Sequence, residues 1–432
     1  MTPIAPFNAR QKLTLVFYSL LWLILTPFTF IHFGWKYLTR KPGYNRSRLS
    51  RYGLLFGKKI RKDGLLLHCA SVGEVVATQT LVERILKANP EQVITISTTT
   101  TTGAERVTLL FADRVNHVYF PYDFPIFINA FLKKIRPNKV LINEMELWPN
   151  FCKACSTRGI PAYLINGRMS DKSKATYKKF PNLFLPMFNC FETICAQGQR
   201  DYDNYLELGI APNRVILTNN IKFDLSFSDT DLHTANTIKE TFDIGKKVIL
   251  VGASTHDPEE QLLLDAYLQL SQHYPNLLLI LVPRHPQRFE KVHQLLTSQK
   301  IQVNLMSEAK ACSNSTQVLL CNQMGKLRSI YALADIAFVG GSLAEKGGHN
   351  ALEPAAVGVP IIMGPSRYNN PAICAALESA KALVNVEGSA DIVAACHEWL
   401  THPKQRIAAG KAGENVLQEN GGAIDKTLEI IK

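Results

Sequence analysis

Carboxylate side chains follow two predicted strands in the first half of the sequence. Glu74 comes after the apolar strand 65–68 and begins a helix, whereas Glu144 and Glu146 follow the strand 140–143. A carboxylate in this position can remove a proton from a sugar hydroxyl that lies within hydrogen-bond distance. For Glu74 the alternative is a carboxylate that only complements the helix N-terminus. Glu144 and Glu146 share one face by the period of two, and two repelling carboxylates there favour a functional role.

Basic side chains follow other predicted strands. Lys222 closes the first half within Asn-Ile-Lys-Phe-Asp, where it can face an acidic group. In the second half Pro283 ends a strand and Arg284 follows it. A guanidinium at that point is a good partner for a phosphate or a carboxylate. The sequence therefore predicts acidic and basic groups at the ends of several strands.

A glycine-rich stretch, residues 340–365, has the pattern of an anion site. It joins the strand 336–339 to a predicted helix over 350–357 and a further strand over 360–363. Free backbone N–H groups and the helix dipole attract an anion at such a turn. Glu353, one turn into the helix, can accept hydrogen bonds from two ribose hydroxyls. The alternative is an ordinary strand–helix connection in which Glu353 complements the dipole.

The pattern of elements predicts an α/β fold with two similar halves. Apolar strands alternate with helical patterns from residue 64 onward, and this alternation is typical of parallel sheets covered on both faces. A polar stretch, residues 225–237, lacks a strong strand or helix pattern and is interpreted as a linker. We therefore expect three regions: 1–62 as an anchor with a basic segment, 63–224 as a first Rossmann-like domain, and 225–432 as a second. Ligand crevices in such domains lie at the carboxyl ends of the strands.

Composition restricts the function classes. The 48 Lys and Arg against 36 Asp and Glu give a formal net charge of +12, which indicates an acidic partner. The sequence has no arginine-rich repeat and no aromatic-basic pattern, so nucleic acid is not expected. The nine cysteines are odd in number and lie mostly in apolar segments, which favours reduced thiols in a cytoplasmic compartment.

The N-terminus predicts a membrane anchor. Residues 13–34 contain no charged side chain, and about 20 apolar residues can span a bilayer as a helix. Pro27 and His32 leave open a helix that is tilted or lies in the interface. By the positive-inside rule the basic segment places the bulk of the chain on the cytoplasmic side, and it can hold anionic head groups. Its cations are Lys36, Arg40, Lys41, Arg46, Arg48, Arg51, Lys58, Lys59, Arg61 and Lys62.

No metal site is expected. His256, His285 and His349 follow strands or turns, but no two of them have a ligand spacing such as H-E-x-x-H. Asp229 and Asp231 form an Asp-x-Asp pair that resembles a metal motif. They lie in the polar linker without a preceding strand, where acidic residues are usually solvated.

Together these motifs identify a resemblance. The chain resembles the Kdo (3-deoxy-D-manno-octulosonic acid) transferases, membrane-anchored enzymes of lipopolysaccharide assembly with the GT-B fold. The resemblance covers nearly the whole chain, and eight features in order carry it: the N-terminal anchor, H-C-A-S-V-G-E, N-E-M-E-L-W-P-N, N-G-R-M-S, N-I-K-F-D, S-T-H-D-P-E-E, V-P-R-H-P and G-G-H-N-A-L-E-P.

The resemblance implies transfer of Kdo from CMP-Kdo to a lipid A precursor (lipid IVA), with inversion and without cofactor or metal, at the cytoplasmic face of the inner membrane. It implies that Glu74 is the general base and that Glu144 with Lys222 assists the transition state. It implies CMP-sugar contacts from Pro283, Arg284, Met324, Gly325, Lys326, Asn350, Ala351, Leu352 and Glu353. The alternatives are another GT-B enzyme that uses a UDP-sugar, as a transferase or an epimerase, and a membrane-tethered binding module without activity.

Overall fold

The chain folds into two compact units. A computed structural model describes residues 7–40, 46–54 and 59–432, apart from the side chains of Arg46 and Ser47. The first unit is formed by residues 1–224 together with 421–432, and the second by residues 225–420. This division differs from the predicted one at the C-terminus, because the last twelve residues pack on the first unit.

The first unit is built on a parallel sheet of seven strands in the order β3-β2-β1-β4-β5-β6-β7. Its strands are β1 Leu65–His68, β2 Ile94–Thr98, β3 Asn116–Tyr119, β4 Lys139–Asn143, β5 Ala162–Gly167, β6 Phe191–Ala196 and β7 Val215–Leu217. Both faces of the sheet are covered. Along β4, Val140 and Ile142 pack into one core and Leu141 into the other, as the period of two along a strand requires.

Helices connect these strands, as the βα alternation predicts. They are α1 Ala9–Leu38, α2 Val72–Ala77, α3 Gln79–Ala88, α4 Thr101–Phe111, α5 Pro125–Ile135, α6 Pro149–Thr157, α7 Asp171–Lys179, α8 Pro181–Phe188 and α9 Gln199–Glu207. The sequence predicts one helix over 75–88, but the structure has two, which meet at Thr78. The Thr78 hydroxyl donates to the backbone oxygens of Glu74 and Val75 at 3.0 and 3.2 Å. Such bonds from a threonine to the preceding turn compete with regular helix geometry.

The second unit contains another parallel sheet of seven strands, in the order β10-β11-β9-β8-β12-β13-β14. Its strands are β8 Val248–Thr255, β9 Leu277–Pro283, β10 Val303–Leu305, β11 Val318–Leu320, β12 Ile336–Val339, β13 Ile361–Met363 and β14 Leu383–Asn385. The predicted α/β class with two doubly wound sheets is thus confirmed.

The helices of the second unit include one that the sequence analysis missed. They are α10 Asp229–Thr241, α11 Glu259–Ser271, α12 Phe289–Ser298, α13 Leu327–Tyr331, α14 Leu352–Ala355, α15 Pro371–Ser379, α16 Ser389–Thr401 and α17 Pro403–Asn420. Helix α10 lies where a linker without secondary structure is predicted. Ser228 and Asp231 form a capping box there, and Asp231 also pairs with Arg328 at 3.3 Å. The Asp-x-Asp pair is therefore used in helix capping and an ion pair.

The last helix, α18 Ala423–Ile431, returns to the first unit. The Asp224 carboxylate accepts hydrogen bonds from the backbone N–H groups of Gly422 and Ile424. Ile424 is fully buried and joins the core beside β1 and β4. The first unit therefore depends on residues that follow the second unit in sequence.

Helix α1 is long and apolar enough to cross a membrane, as a matter of length and composition. In the basic segment, Lys41, Lys58 and the side chain of Arg46 lie outside the described residues. Two described cations are only partly exposed and stack on aromatic rings of the first unit. The Arg48 guanidinium lies 5.0 Å from the ring centre of Tyr119, and that of Arg51 lies 4.2 Å from the ring centre of Tyr122.

Replacing Ile424 tests the dependence on α18. We expect Ile424→Ala to cost about 2–4 kcal/mol, because it leaves a cavity in a packed core. The melting temperature of the detergent-solubilised protein should fall by roughly 5–15 °C in a thermal scan. Ile407→Ala is the matched control, since Ile407 is 66% exposed, and it should melt like wild type. Equal melting of both variants would show that α18 does not contribute to the core.

Candidate functional site

Glu74 lies at the first turn of α2, directly after β1. Its carboxylate accepts hydrogen bonds from the backbone N–H groups of Ala70 at 2.9 Å and Ser71 at 3.1 Å. The Ser71 hydroxyl also donates to it at 3.0 Å, and Ser71 in turn caps the helix. The capping role considered from the sequence is therefore present. It fixes the position of a carboxylate that is buried, with only 7% of the residue exposed.

The surroundings of Glu74 make it a base near neutral pH. Burial raises the pKa of Glu74 to about 7, and the negative charges of Glu144 and, more weakly, Glu146 act in the same direction. The hydrogen bonds from Ala70 and Ser71 oppose this shift. A carboxyl group with a pKa near the working pH can take up a proton and release it again, which general base catalysis requires. Glu74 can therefore exchange a proton near neutral pH in addition to capping the helix.

Glu144 and Lys222, which the resemblance pairs, lie together after β4 and β7. The Lys222 Nζ is 3.8 Å from Glu144 Oε1, and both side chains are roughly one quarter exposed. Glu144 has a positive φ of 58°, which turns the chain sharply at the end of β4. The Asn166 amide oxygen accepts from the N–H group of Ile221 at 3.2 Å, which fixes the turn that carries Lys222.

Glu146 belongs to a second group of polar side chains beside Glu74. Its carboxylate accepts a hydrogen bond from the indole N–H of Trp148 at 3.1 Å and lies 3.8 Å from Nε2 of the buried His68. The other ring nitrogen of His68 is 3.0 Å from the Ser97 hydroxyl. The structure thus brings Glu74, Glu144 and Glu146 to one edge of the first sheet.

The hydroxyl-rich turn after β2 supports this edge. The Thr99 hydroxyl donates to the backbone oxygen of Ala70 at 2.8 Å, next to the Glu74 turn. The Thr100 hydroxyl caps α4 by accepting from the N–H group of Gly103 at 3.1 Å. These two threonines therefore position the backbone.

In the second unit the glycine-rich turn is organised by Glu259, which the sequence analysis did not identify as a site residue. One carboxylate oxygen accepts from the N–H groups of Ser342, Leu343 and Ala344 at 2.9 to 3.3 Å. The other accepts from the N–H groups of Gly341 and His256 at 2.8 and 2.9 Å.

The prediction of free N–H groups in this turn is therefore wrong for residues 341–344, because a carboxylate of the chain already occupies them. Glu259 is fully buried, and burial raises its pKa while the backbone hydrogen bonds lower it. Gly340 is required by the same packing, since a Cβ there would lie 2.5 Å from the Ser254 backbone oxygen. The sequence signals for Glu259 are its place in S-T-H-D-P-E-E and an acidic residue at the start of a helix that follows a strand.

Cationic and neutral imidazole groups lie beside this turn, at the carboxyl ends of β8, β9 and β12. Nε2 of His256 and Nε2 of His349 are 3.0 Å apart, so one ring donates and the other accepts. Burial lowers the pKa of His256 to about 4 and that of His349 to about 3, with further lowering from neighbouring cations that include Arg284. Arg288 is paired with Glu260 at 2.8 Å. Arg284 forms no ion pair with any residue in the described ranges.

The predicted nucleotide-sugar segments follow β9, β11 and β12. In the second sheet β11 and β9 are adjacent, and β8 separates β9 from β12. Pro283 ends β9, and the N–H group of Arg284 donates to the Thr255 backbone oxygen at 3.0 Å. The side chain of Met324 is 58% exposed, Gly325 has a positive φ of 81°, and Lys326 directly precedes α13.

The segment 350–353 differs in part from the prediction. Helix α14 has only four residues, Leu352–Ala355, in place of the eight predicted over 350–357. The side chains of Ala351 and Leu352 are fully buried, so these residues can offer only backbone groups to a ligand. The Asn350 amide oxygen accepts from the N–H group of Leu352 at 3.2 Å. Asn350 and Glu353 are partly exposed and can contact a ligand with their side chains.

Within the described residues, no group of three or more His, Cys, Asp or Glu side chains has the arrangement of a metal site. Cys152 and Cys155 are buried free thiols in α6, and they pack in the core of the first unit.

Comparison with known proteins gives matches over both units. A family model described as 3-Deoxy-D-manno-octulosonic-acid transferase (kdotransferase) matches residues 46–225. A second, described as Glycosyl transferases group 1, matches residues 236–416. Together these matches extend over most of the chain.

Individual proteins agree with the family models. A 3-deoxy-D-manno-octulosonic acid transferase of Haemophilus influenzae is 36% identical over 418 residues, which is 96% of this chain and 97% of that protein. One of Bordetella pertussis is 28% identical and covers 85% of this chain and 86% of its own. The solved structure of UDP-GlcNAc 2-epimerase from Neisseria meningitidis has a TM-score of 0.58 at 16% identity, covering 85% of this chain and 98% of that chain. At this identity it shows a shared fold only.

The role of Glu259 can be tested by an isosteric change. In Glu259→Gln, whichever way the amide is turned, an NH₂ group faces at least two backbone N–H groups. Each buried donor without a partner costs about 1–3 kcal/mol. We expect a clear fall in melting temperature in a thermal scan.

Glu290→Gln on α12 is the matched control, because Glu290 is exposed, and it should melt like wild type. If Glu259→Gln kept the wild-type melting temperature, the glycine-rich turn would not depend on this carboxylate.

Proposed function

Because the chain belongs to the family of 3-deoxy-D-manno-octulosonic acid (Kdo) transferases, we propose that it moves Kdo from CMP-Kdo to a lipid A precursor, lipid IVA, with inversion at the anomeric carbon. The observation that carries the mechanism is the buried Glu74 carboxylate, whose pKa is about 7 beside Glu144 and Lys222. Family membership supports the Kdo transfer itself. The donor, the acceptor and the stereochemistry are what the resemblance to this family implies, and the residues below offer groups that suit that reaction.

In the proposed reaction Glu74 activates the acceptor. An acceptor hydroxyl gives its proton to the Glu74 carboxylate as its oxygen forms a bond to the anomeric carbon of Kdo. The bond from that carbon to the phosphate oxygen of CMP breaks in the same displacement, which inverts the anomeric configuration. Lys222 and Glu144 lie 3.8 Å apart and assist charge development in the transition state. A fixed charge pair of this kind contributes without reorganising during the reaction.

The second unit binds the donor in this proposal. Arg284 offers a guanidinium to the phosphate, and Asn350 and Glu353 offer polar groups to the nucleoside. Met324, Gly325 and Lys326 complete the contact. The departing CMP carries one phosphate, and fixed positive groups can stabilise its charge, so the proposal includes no metal and no cofactor.

The proposed setting is the cytoplasmic face of the inner membrane. The acceptor is an anionic lipid, and α1 has the length and apolar composition for membrane association. The basic segment that follows α1 favours the cytoplasmic side and anionic head groups.

A substrate comparison tests the proposal directly. The full chain in detergent receives lipid IVA with radiolabelled CMP-Kdo or with UDP-sugars, and the lipid product is analysed by mass spectrometry. We expect added Kdo mass from CMP-Kdo and no product from UDP-sugars. Turnover of a UDP-sugar would favour the alternative GT-B activity, and CMP binding without turnover would favour a binding module.

The general base is tested by Glu74→Gln. This variant keeps the acceptors of the capping hydrogen bonds in part but cannot take up the hydroxyl proton. We expect kcat to fall by about 10²–10⁴-fold, with CMP binding retained. Glu83→Gln, at an exposed position on α3, is the control and should keep wild-type turnover. Normal turnover by Glu74→Gln would exclude Glu74 as the base.

The pH profile gives an independent test. Because Glu74 acts when it is ionised, kcat/KM should rise with pH and level off above its pKa of about 7. Glu144→Gln removes a negative charge that raises the pKa of Glu74. The acid limb of the kcat/KM profile should therefore move to lower pH, even if the maximum rate of this variant is reduced. An acid limb that stays in place in this variant would contradict the electrostatic coupling of the two carboxylates.

A further inference from the structure

Helix α1 contacts the first unit along one stripe of its surface. The residues with reduced exposure recur every three or four positions, from the first turn of the helix to the last. They are Gln11, Thr14, Leu15, Tyr18, Ser19, Trp22, Thr26, Thr29, Phe33, Gly34 and Lys36. This spacing is one face of an α-helix. The helix therefore lies along the first unit and does not project away from it.

Specific contacts hold this face in place. The Ser19 hydroxyl lies 3.1 Å from the Asn150 amide oxygen, and Tyr18 hydrogen-bonds the carboxylate of Asp123. Asp123 is itself buried and accepts from the N–H groups at the start of α6. These polar bonds join the helix to the loop before α5 and to the N-terminus of α6.

Aromatic stacking extends the contact toward the C-terminal half of the helix. The ring of Trp22 lies 5.6 Å from that of Tyr122, and the ring of Phe30 stacks on Tyr52 at 3.8 Å. Phe33 meets Tyr52 edge-on at 6.3 Å. The contact thus continues from residue 15 to residue 33.

The opposite face of α1 is apolar and exposed. Its large side chains are 48 to 69% exposed, and they are Val16, Phe17, Leu20, Leu21, Leu23, Ile24, Phe28 and Ile31. In a soluble protein the apolar face of a helix packs inward and the polar face meets water. Here the hydroxyl groups face the protein and the hydrocarbon side chains face outward, which is the arrangement that a lipid environment stabilises.

We infer that α1 lies in the plane of an anionic phospholipid bilayer, with its exposed face in the acyl boundary and the first unit beside it, and does not span the membrane. Residues 15–33 cover ~27 Å of helix axis, most of a ~30 Å hydrocarbon core. If the helix spanned the bilayer with these contacts intact, the start of α6 and its exposed charged side chains such as Lys153 would be carried into hydrocarbon with it. Exposed polar and charged groups of a folded domain do not tolerate that transfer.

The charges at the two ends of α1 support the same in-plane position. Arg10 and Lys12 lie near the start of α1, and Lys36 and Arg40 lie at its end or directly after it. In an in-plane helix all four cations reach one surface, where anionic head groups attract them. A spanning helix would place the first pair on the opposite side of the membrane.

The in-plane position of α1 extends the proposed function. It rests on that function for the identity of the acceptor as a lipid. Asn150, which Ser19 contacts, ends the segment that begins with Asn143 and carries Glu144 and Glu146. The same helix that enters the lipid surface therefore positions the end of the segment that bears the candidate site. We expect the acceptor to reach Glu74 from the surface in which α1 lies.

Depth measurement at three positions tests the inference. Phe17→Cys, Ile24→Cys and Ile31→Cys lie on the exposed face, each ~10.5 Å along the axis from the next. Each variant of the full chain also carries Cys312→Ser, because Cys312 is the one cysteine of nine that is not buried. The introduced cysteine is then labelled with bimane. The labelled chain is bound to vesicles of phosphatidylethanolamine and phosphatidylglycerol that contain lipids brominated at shallow or deep positions.

An in-plane helix predicts equal quenching depth for the three labels. A spanning helix predicts depths that change by ~10 Å from one label to the next, and this result would overturn the inference. Absence of quenching at all three positions would overturn it as well, because the face would then not be in lipid.

A matched pair of substitutions measures the role of the exposed face. Ile24 and Ile407 are 64% and 66% exposed. We expect Ile24→Glu to weaken vesicle binding at least about tenfold and Ile407→Glu to leave it unchanged. Equal binding by both variants would contradict the inference.

Topology separates the two arrangements in native membranes. A cysteine at Thr2 should react with an impermeant maleimide from the same side as a cysteine at Lys432; reaction from opposite sides would show a spanning helix. Kdo transfer by the wild-type chain in detergent is measured in parallel. Transfer with graded label depths rejects the in-plane helix alone, whereas equal depths without transfer reject the proposed function alone.

Discussion

A buried carboxylate that accepts hydrogen bonds from backbone N–H groups is the interaction on which each region of this chain depends. Glu74, Asp123 and Glu259 each make it at a turn after a strand or at a helix start. A carboxylate taken out of water must be satisfied by donors, and the backbone supplies them without further charge. The number of donors then determines what else the group can do. Glu259, with five N–H partners, holds a turn, whereas Glu74 has two and lies beside other acids, so it can exchange a proton near neutral pH.

Most of the fold can be predicted from the sequence, because each parallel strand is a short apolar run with a turn signal at its end. The strands Leu65–His68 and Ile336–Val339 have the predicted bounds, and those predicted over 140–143 and 360–363 differ by one residue at their starts. Helix α10 was missed because its capping box stands in a polar stretch without apolar periodicity. The predicted helix over 350–357 is shortened because the chain before it is bound in the glycine-rich turn.

The candidate site could be predicted where it depends on strand ends and not where it depends on packing. The parallel topology brings Glu144 and Lys222, distant in sequence, to the same edge of the sheet. The turn after β7, held by Asn166 of β5, then carries Lys222 to within 3.8 Å of Glu144. The role of Glu259 could not be read from its neighbours in sequence, because its five donors come from His256 and from a turn more than eighty residues later. Residue type alone also could not distinguish Ala351 and Leu352, which are buried, from Asn350 and Glu353, which are partly exposed.

The sequence of the N-terminal helix likewise does not show which of its faces packs on the protein. Hydropathy along a sequence measures composition, and α1 satisfies the composition of a spanning helix. What composition omits is which face has a partner. The hydroxyl groups of Tyr18 and Ser19 are tied to Asp123 and Asn150, so they need no water and do not oppose an apolar setting. The helix is therefore compatible with lipid on one side and a folded domain on the other, which is the arrangement that the proposed in-plane position requires.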